Sequence, residues 1–299
     1  MIAVPEIVLE RIAAAVGSVT CDNRGVVPEK TIEATGFATR TIVPDGTSLF
    51  DLFLAAGRGL PADGLADLGG VIAATFSAED RFPSLAVRVA SALGLPASTP
   101  AFDLQMACSA YPYAVYLAGR LAADTGKRVL VLNGDIQSRL TDASDPTTAP
   151  LFSDAATATL VRSEPTAPAR SQFAFLSRAS DALACSAGGP IRMDGFGVFA
   201  FVATEVTPFL KAFVAEAAAV DSRPIDFFAP HQANLYMVRQ LARSLALEDR
   251  LLTSGERYAN PGSCSVPLTL AQAQRSGRAL IAGFGAGLSA AVATVRYGY

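Results

Sequence analysis

The sequence predicts an α/β protein with a mainly parallel, buried sheet, built from two halves of similar plan. Short apolar runs alternate with longer helix-like segments along its 299 residues. Two long stretches also echo each other in order and spacing. The first element read is a strand in LADLGGVIAATF, followed by an amphipathic helix in SLAVRVASALGL. A strand at about 100–106, a helix from Cys108 to Thr125 and the strand RVLVLNGD come next. Beyond the Asp-, Thr- and Pro-rich loop 141–150, DAATATLVRS reads as a strand, and SEPTAPARS (163–171) as the hinge between halves. The rhythm resumes with IDFFAP, the helix QANLYMVRQLARSLAL, a helix at 264–275 and the strand ALIAGFG.

The echo is specific. Cys108 is followed by a helix, then Gly126 at 18 positions and the strand VLVLNGD. Asn260 is followed by a helix, then Gly277 at 17 positions and ALIAGFG. This suggests an internal duplication, with halves at 1–163 and 172–299 whose strand ends share one crevice.

Composition narrows the function classes. Hydrophobic residues make up 51% and charged ones 17%, the balance of a globular chain. The formal net charge of −3 argues against nonspecific nucleic-acid binding. No uninterrupted apolar run has the length of a membrane span, and Pro5, Glu6, Glu10 and Arg11 break the N-terminal stretch where a secretory signal needs its apolar centre. A cytoplasmic protein is expected. The four cysteines are scattered and the chain has one histidine, so no metal-ligand set is read and free thiols are expected.

That histidine, His231, stands in IDFFAPHQAN at a strand end. With Cys108 and Asn260 it would make a nucleophile and two hydrogen-bond donors. Cys108 lies where a strand gives way to a helix, and Pro112 four residues on marks the helix start. Free N–H groups there favour an anion, a route to a lowered thiol pKa. Each residue also has a plain structural reading: a packed thiol, a strand-end imidazole, an Asn-Pro-Gly turn. The glycine-rich GFGAGLS (283–289) lacks a P-loop lysine and dinucleotide spacing. Its glycines would let backbone N–H groups approach a reacting oxygen.

Taken in order, DLQMACSA, LFSDAATATLV, MDGFGVFAF, PHQANLYMV, NPGSCSVPLTLA and GFGAGLSAAVATVRY resemble the β-ketoacyl-[acyl-carrier-protein] synthase III family. The resemblance implies the thiolase fold, two pseudo-symmetric halves layered α-β-α-β-α. It implies that Cys108 takes an acyl group as a thioester, while His231 and Asn260 stabilise the enolate left when a malonyl thioester loses carbon dioxide. The N–H groups of Cys108 and Ala286 would hold the oxyanion of the condensation. Asn234 and Gly285 would contact substrate, and Phe82 would close the partner subunit's acyl pocket in a homodimer. Substrates would be phosphopantetheine thioesters of coenzyme A or an acyl carrier protein, with no bound cofactor.

Several positions depart from the family pattern. Only Met1–Val4 precede Pro5, so the first strand is expected to be nearly missing. The chain has no tryptophan to stack an adenine, and DPTTAP (145–150) lacks its usual arginine. Tyr236 and Ala200 stand where the family often has a cation. Arg192, Arg239 and Arg243 are then the carrier-docking candidates, the last two also readable as a solvated helix face. These departures suggest a specialised pathway. The leading reading is a decarboxylating condensing enzyme. An acyltransferase using His231 as general base, and a subunit of a hetero-oligomeric synthase, stand behind it.

Overall fold

The chain opens on a 15-residue strand, β1 (Ile2–Val16), which runs through Pro5 into the centre of the sheet. The expectation of a nearly missing first strand is therefore corrected. Ile2–Pro5 pair with one neighbour and Glu6–Val16 with another, so Pro5 sits at the changeover, opposite Arg170, where a missing N–H is tolerated. The charges that disguise the strand are paired. Glu6 and Glu10, each 6% exposed, meet Arg223 (3.1 Å), Arg296 (3.3 Å), Arg128 (2.6 Å) and Arg162 (2.5 Å).

The computed structural model describes residues 1–298. After β1 come a small hairpin, β2 (Val19–Asp22) and β3 (Thr39–Ile42), with α1 (Glu29–Thr35) between its strands. Then follow α2 (Leu49–Arg58), β4 (Gly70–Ala74), α3 (Leu85–Ala92), β5 (Ala101–Leu104), α4 (Ala110–Thr125), β6 (Val129–Ile136) and β7 (Asp154–Glu164). The second half holds β8 (Arg170–Ser177), the hairpin β9 (Leu183–Cys185) and β10 (Ile191–Met193), and α5 (Gly195–Phe201). A π-turn leads from α5 into α6 (Thr207–Val220). The chain closes with β11 (Phe227–Pro230), α7 (Leu235–Ser244), α8 (Gly255–Tyr258), α9 (Ser265–Ala273), β12 (Gly277–Gly285) and β13 (Ser289–Tyr297).

The strands join in the order β11-β12-β13-β8-β1-β7-β6-β4-β5. The two ends are built alike: β4–β6 and β11–β12 are parallel, β6–β7 and β12–β13 antiparallel. Three apolar cores separate the layers. One seats α2 and α3 on the first half-sheet; a second surrounds α4 and α9; a third seats α6 and α7 on the other half-sheet. The architecture is α-β-α-β-α.

The sheet is mixed rather than mainly parallel, because the Gly285–Ser289 turn folds β13 back on β12 and β1 runs antiparallel to both β7 and β8. Residues 165–169 connect β7 to β8 across the end of β1. Gly195–Val220 is long and apolar enough by composition to cross a membrane, with mean hydropathy 1.6. Glu205, Lys211 and Glu216 interrupt it, and one face packs in the third core.

Candidate active site

Cys108 lies in the turn Ala107–Ser109 between β5 and α4. Ala107 adopts φ 40°, a strained left-handed conformation for a residue with a side chain. Pro112 fits in the first turn of α4, which therefore begins just beyond the thiol. Two glycines of β12 let that strand press against the turn. A Cβ on Gly283 would meet Cys108 O at 2.8 Å, and one on Gly285 would meet Cys108 Sγ at 3.1 Å. Ser109 Oγ lies 2.7 Å from Ser289 Oγ, which donates to Ala286 O at 2.8 Å. The Cys108 turn and the glycine-rich turn are thereby locked together, with the Ala286 N–H directed at Cys108.

The thiol is not an anion in waiting. Cys108 is 5% exposed, and burial pushes it up to about 11, against the opposing pull of the Ala286 N–H. The lowered pKa expected from the helix start is corrected: desolvation outweighs the N–H groups.

His231 follows β11 and is fixed by its own N–H to Ala282 O at 2.7 Å. Its Nδ1 lies 2.9 Å from Gly262 O and 3.0 Å from Ser265 Oγ. A carbonyl can only accept, so Nδ1 carries the proton and Nε2 presents a lone pair. Ser265 Oγ donates to the same carbonyl at 2.7 Å and accepts from Gln232 N at 3.1 Å. Burial lowers the imidazole to about 4. His231 at rest is thus an acceptor, where the sequence reading made it a donor. It donates from Nε2 only after taking a proton.

Asn260 Oδ1 accepts from Gly262 N at 3.0 Å, leaving Nδ2 as the donor end. The backbone is clamped by Asn260 N to Leu151 O (3.1 Å), and by Ser153 N (3.1 Å) and Gln137 Nε2 (3.0 Å) to Asn260 O. Asn234 caps α7, accepting from Met237 N at 2.8 Å.

Cys108, His231, Asn260, Asn234 and Gly285 line one cavity of about 180 Å³. On the other side of Cys108 a larger space of about 1110 Å³ is bounded by Phe76, Met106, Leu140 and Ala286, among others. Phe152 and Leu183 wall both. The thiol therefore stands between two chambers. Phe82 is 84% exposed and lines neither. Arg192, Arg239 and Arg243 are all exposed; Arg239 pairs with Glu256 at 3.5 Å.

Sequence reasoning did not find the supports. Phe284 sets its ring edge-on to His231, centroids 5.5 Å apart. Asp135, buried under the large chamber, accepts from Thr75 Oγ1 (2.7 Å), Phe76 N (2.9 Å), Ser77 Oγ (2.9 Å) and Ser77 N (3.1 Å), and burial pushes it up to about 6. Phe284 was visible inside GFGAG; Asp135 had no signal beyond an acid ending an apolar strand.

Comparison with known proteins fits this geometry. Residues 102–180 match the family described as 3-oxoacyl-[acyl-carrier-protein] synthase III, and residues 215–297 the family of its C-terminal part. The β-ketoacyl-[acyl-carrier-protein] synthase III of Rhodospirillum rubrum is 32% identical over 266 residues, covering 82% of each chain. That of Sphingopyxis alaskensis is 34% identical over 263 residues, 83% of this chain and 81% of its own. Among solved structures, the priming β-ketosynthase of the R1128 polyketide pathway superposes with a TM-score of 0.89 at 26% identity, over 99% of this chain and 98% of its own. The 3-oxoacyl-(acyl carrier protein) synthase III of Pseudomonas aeruginosa gives 0.87 at 26%, over 98% and 99%.

Proposed function

The chain belongs to the 3-oxoacyl-[acyl-carrier-protein] synthase III family of condensing enzymes, and on that premise we propose that Cys108, His231 and Asn260 carry out a decarboxylative condensation. Cys108 takes the acyl group as its thiol proton passes to His231 Nε2 and on to the departing thiol. A malonyl thioester in the small cavity then loses carbon dioxide. Asn260 Nδ2 supports the enolate oxygen, joined by His231 once its Nε2 has taken up from solvent the one proton that the condensation consumes. The enolate attacks the acyl carbonyl, and the N–H groups of Cys108 and Ala286 hold the oxyanion. Collapse expels the Cys108 thiolate, which regains one proton through His231.

The observation that carries this reading is the placement of Cys108 between the two chambers. An acyl chain has room in the larger one, and His231 and Asn260 line the smaller one together with Cys108. Asn234 and Gly285 line the cavity where a phosphopantetheine arm enters. Such an arm, on coenzyme A or on an acyl carrier protein, delivers both substrates, and the steps above call for no resident cofactor. We place the reaction in the cytoplasm, in fatty-acid or polyketide-type synthesis of a specialised kind.

A homodimer is part of the proposal. Strand β5 is a sheet edge with Phe102 40% exposed, suited to pairing with a second copy. Phe82, free of its own cavities, would then reach the partner's. The repeated strand order at the two ends of the sheet supports duplicated halves at 1–163 and 172–299.

The test is intact-protein mass spectrometry after incubation with acyl-CoA and acyl-carrier thioesters, wild type beside Cys108→Ala. The proposal expects a mass gain that the variant lacks, followed by malonyl-dependent carbon dioxide release. Acylation without that release would favour simple acyl transfer.

A further inference from the structure

The turn Gly262–Cys264 belongs to the second half of the chain, yet it is seated on the first. It rests on β6 and against the Cys108 turn, and it fixes the groups of the reaction centre. Asn260 stands just before it. Gly262 O and Ser265 Oγ meet His231 Nδ1 at 2.9 and 3.0 Å. Whatever holds this turn therefore sets both the imidazole and the amide.

Two side chains of the first half reach it. Asn133 lies in β6 and Gln137 one residue beyond its end, and they are 0% and 1% exposed. Asn133 Nδ2 donates to Ala74 O at 3.0 Å and to Ser263 Oγ at 2.8 Å. Gln137 Nε2 donates to Ser153 O at 3.1 Å and to Asn260 O at 3.0 Å. Carbonyls only accept, so both amides must present their nitrogens here. Each nitrogen gives one N–H to first-half backbone and the other to the segment Asn260–Ser263. Asn133 Oδ1 is buried with no partner among the described residues. An amide oxygen buried in this way costs stability, and a polar group kept there calls for a reason. Its N–H pair supplies one. We infer that Asn133 and Gln137 are positioning residues for the condensation. Asn133 acts through Ser263 on the Gly262 carbonyl that sets the His231 tautomer, and Gln137 acts on Asn260. The inference rests on the reading of Cys108, His231 and Asn260 as the reaction centre.

The chain has one histidine, so NMR of protein made with nitrogen-labelled histidine reads His231 alone. The wild type should show a protonated Nδ1 and a bare Nε2. Ser263→Ala removes only a hydroxyl, and Asn133→Leu keeps the side chain's size. Both should bring in the opposite tautomer and slow acylation of Cys108 by about threefold or more. Combined, they should cost no more than the worse single change. Gln137 also borders the large chamber, so Gln137→Met is read from enzyme already acylated. Its malonyl-dependent carbon dioxide release should fall about tenfold or more at saturation, with KM for the malonyl thioester within about twofold. Unchanged His231 signals in Ser263→Ala and Asn133→Leu, additive losses in the pair, or a Gln137→Met that melts earlier yet releases carbon dioxide at the wild-type rate would each overturn the inference. Should Asn133→Leu or Gln137→Met fail to fold, Ser263→Ala decides alone. Wild type that releases no carbon dioxide from any malonyl thioester would overturn the reaction centre, and the His231 spectra would still decide whether Asn133 holds the turn.

Discussion

Replacing Gly285 by alanine should cripple acylation while leaving the fold in place. The added Cβ would stand 2.9 Å from Cys108 Cβ and 3.1 Å from its Sγ, where ordinary contact begins at 3.4 Å. Cys108 must retreat by about half an ångström or more, because the packed turn beneath it has little slack. Its thiol then loses alignment with the Ala286 N–H and the bound carbonyl. A displacement of this order costs about 100-fold in rate, or about 2.7 kcal/mol of barrier. Gly285 also has φ 144°, and an L-residue there adds strain of about 1–3 kcal/mol. Melting should drop by about 2–6 °C. The assay is rapid-quench mass spectrometry of the Cys108 thioester beside thermal melting. Gly46→Ala is the control: φ 82° with nothing within 4 Å of the new Cβ, so it should lose stability and keep acylation. A wild-type acylation rate in Gly285→Ala would refute the claim that this contact sets the nucleophile.

Asn260→Ala should lower malonyl-dependent carbon dioxide release by about 10²–10³-fold, the usual worth of one oxyanion donor, while the acyl-Cys108 adduct still forms by mass spectrometry. His231 is held at about 4 against an ordinary 6.5, so between those values the unfolded chain binds a proton the folded chain refuses. Its contribution to stability is therefore lost as pH falls. From pH 7 to about 5 it should cost about 2 kcal/mol in urea titrations, and His231→Asn should remove that loss. Asp135, raised from 3.8 to about 6, works in the opposite sense over its own range, so only the difference between wild type and variant isolates the histidine. Asp135→Ala should destabilise by about 3 kcal/mol or more, since Thr75, Phe76 and Ser77 lose a shared acceptor; Asp135→Asn, which keeps an acceptor oxygen, should cost much less by the same titration.

What could be read from the chain followed periodicity. Helices α3, α4, α7 and α9, strands β4, β6, β7, β11 and β12, and the triad positions all sit in regular apolar patterns or at their ends. The first strand was missed because Pro5, Glu6 and Glu10 look like a break. In the fold the carboxylates are neutralised by arginines from distant segments, a compensation no local window contains. Strand polarity was misread for a related reason: the Gly285–Ser289 turn that reverses β12 into β13 was read only as a loop for a reacting oxygen. Of the cavity walls, Phe152 comes from an irregular segment and Leu183 from a three-residue strand, too short to show a period. The histidine's tautomer depends on one carbonyl, Gly262 O, thirty-one residues away.

That tautomer decides what kind of nucleophile Cys108 is. Burial pushes the thiol up to about 11 and the imidazole down to about 4, so in both groups it favours the neutral form and works against a preformed thiolate–imidazolium pair. In the proposed mechanism the proton would move only when a thioester carbonyl occupies the N–H groups of Cys108 and Ala286 and negative charge can pass onto its oxygen. Such a cysteine should be sluggish toward reagents that bring no carbonyl. Alkylation of Cys108 by iodoacetamide near pH 7, followed by peptide mass spectrometry, should run slower than for exposed Cys185 and should accelerate only in strongly alkaline buffer. Acylation by a thioester substrate should stay fast at the same pH. An alkylation midpoint near 7 would mean that an ion pair already exists, and that His231 holds its proton on Nε2 at rest.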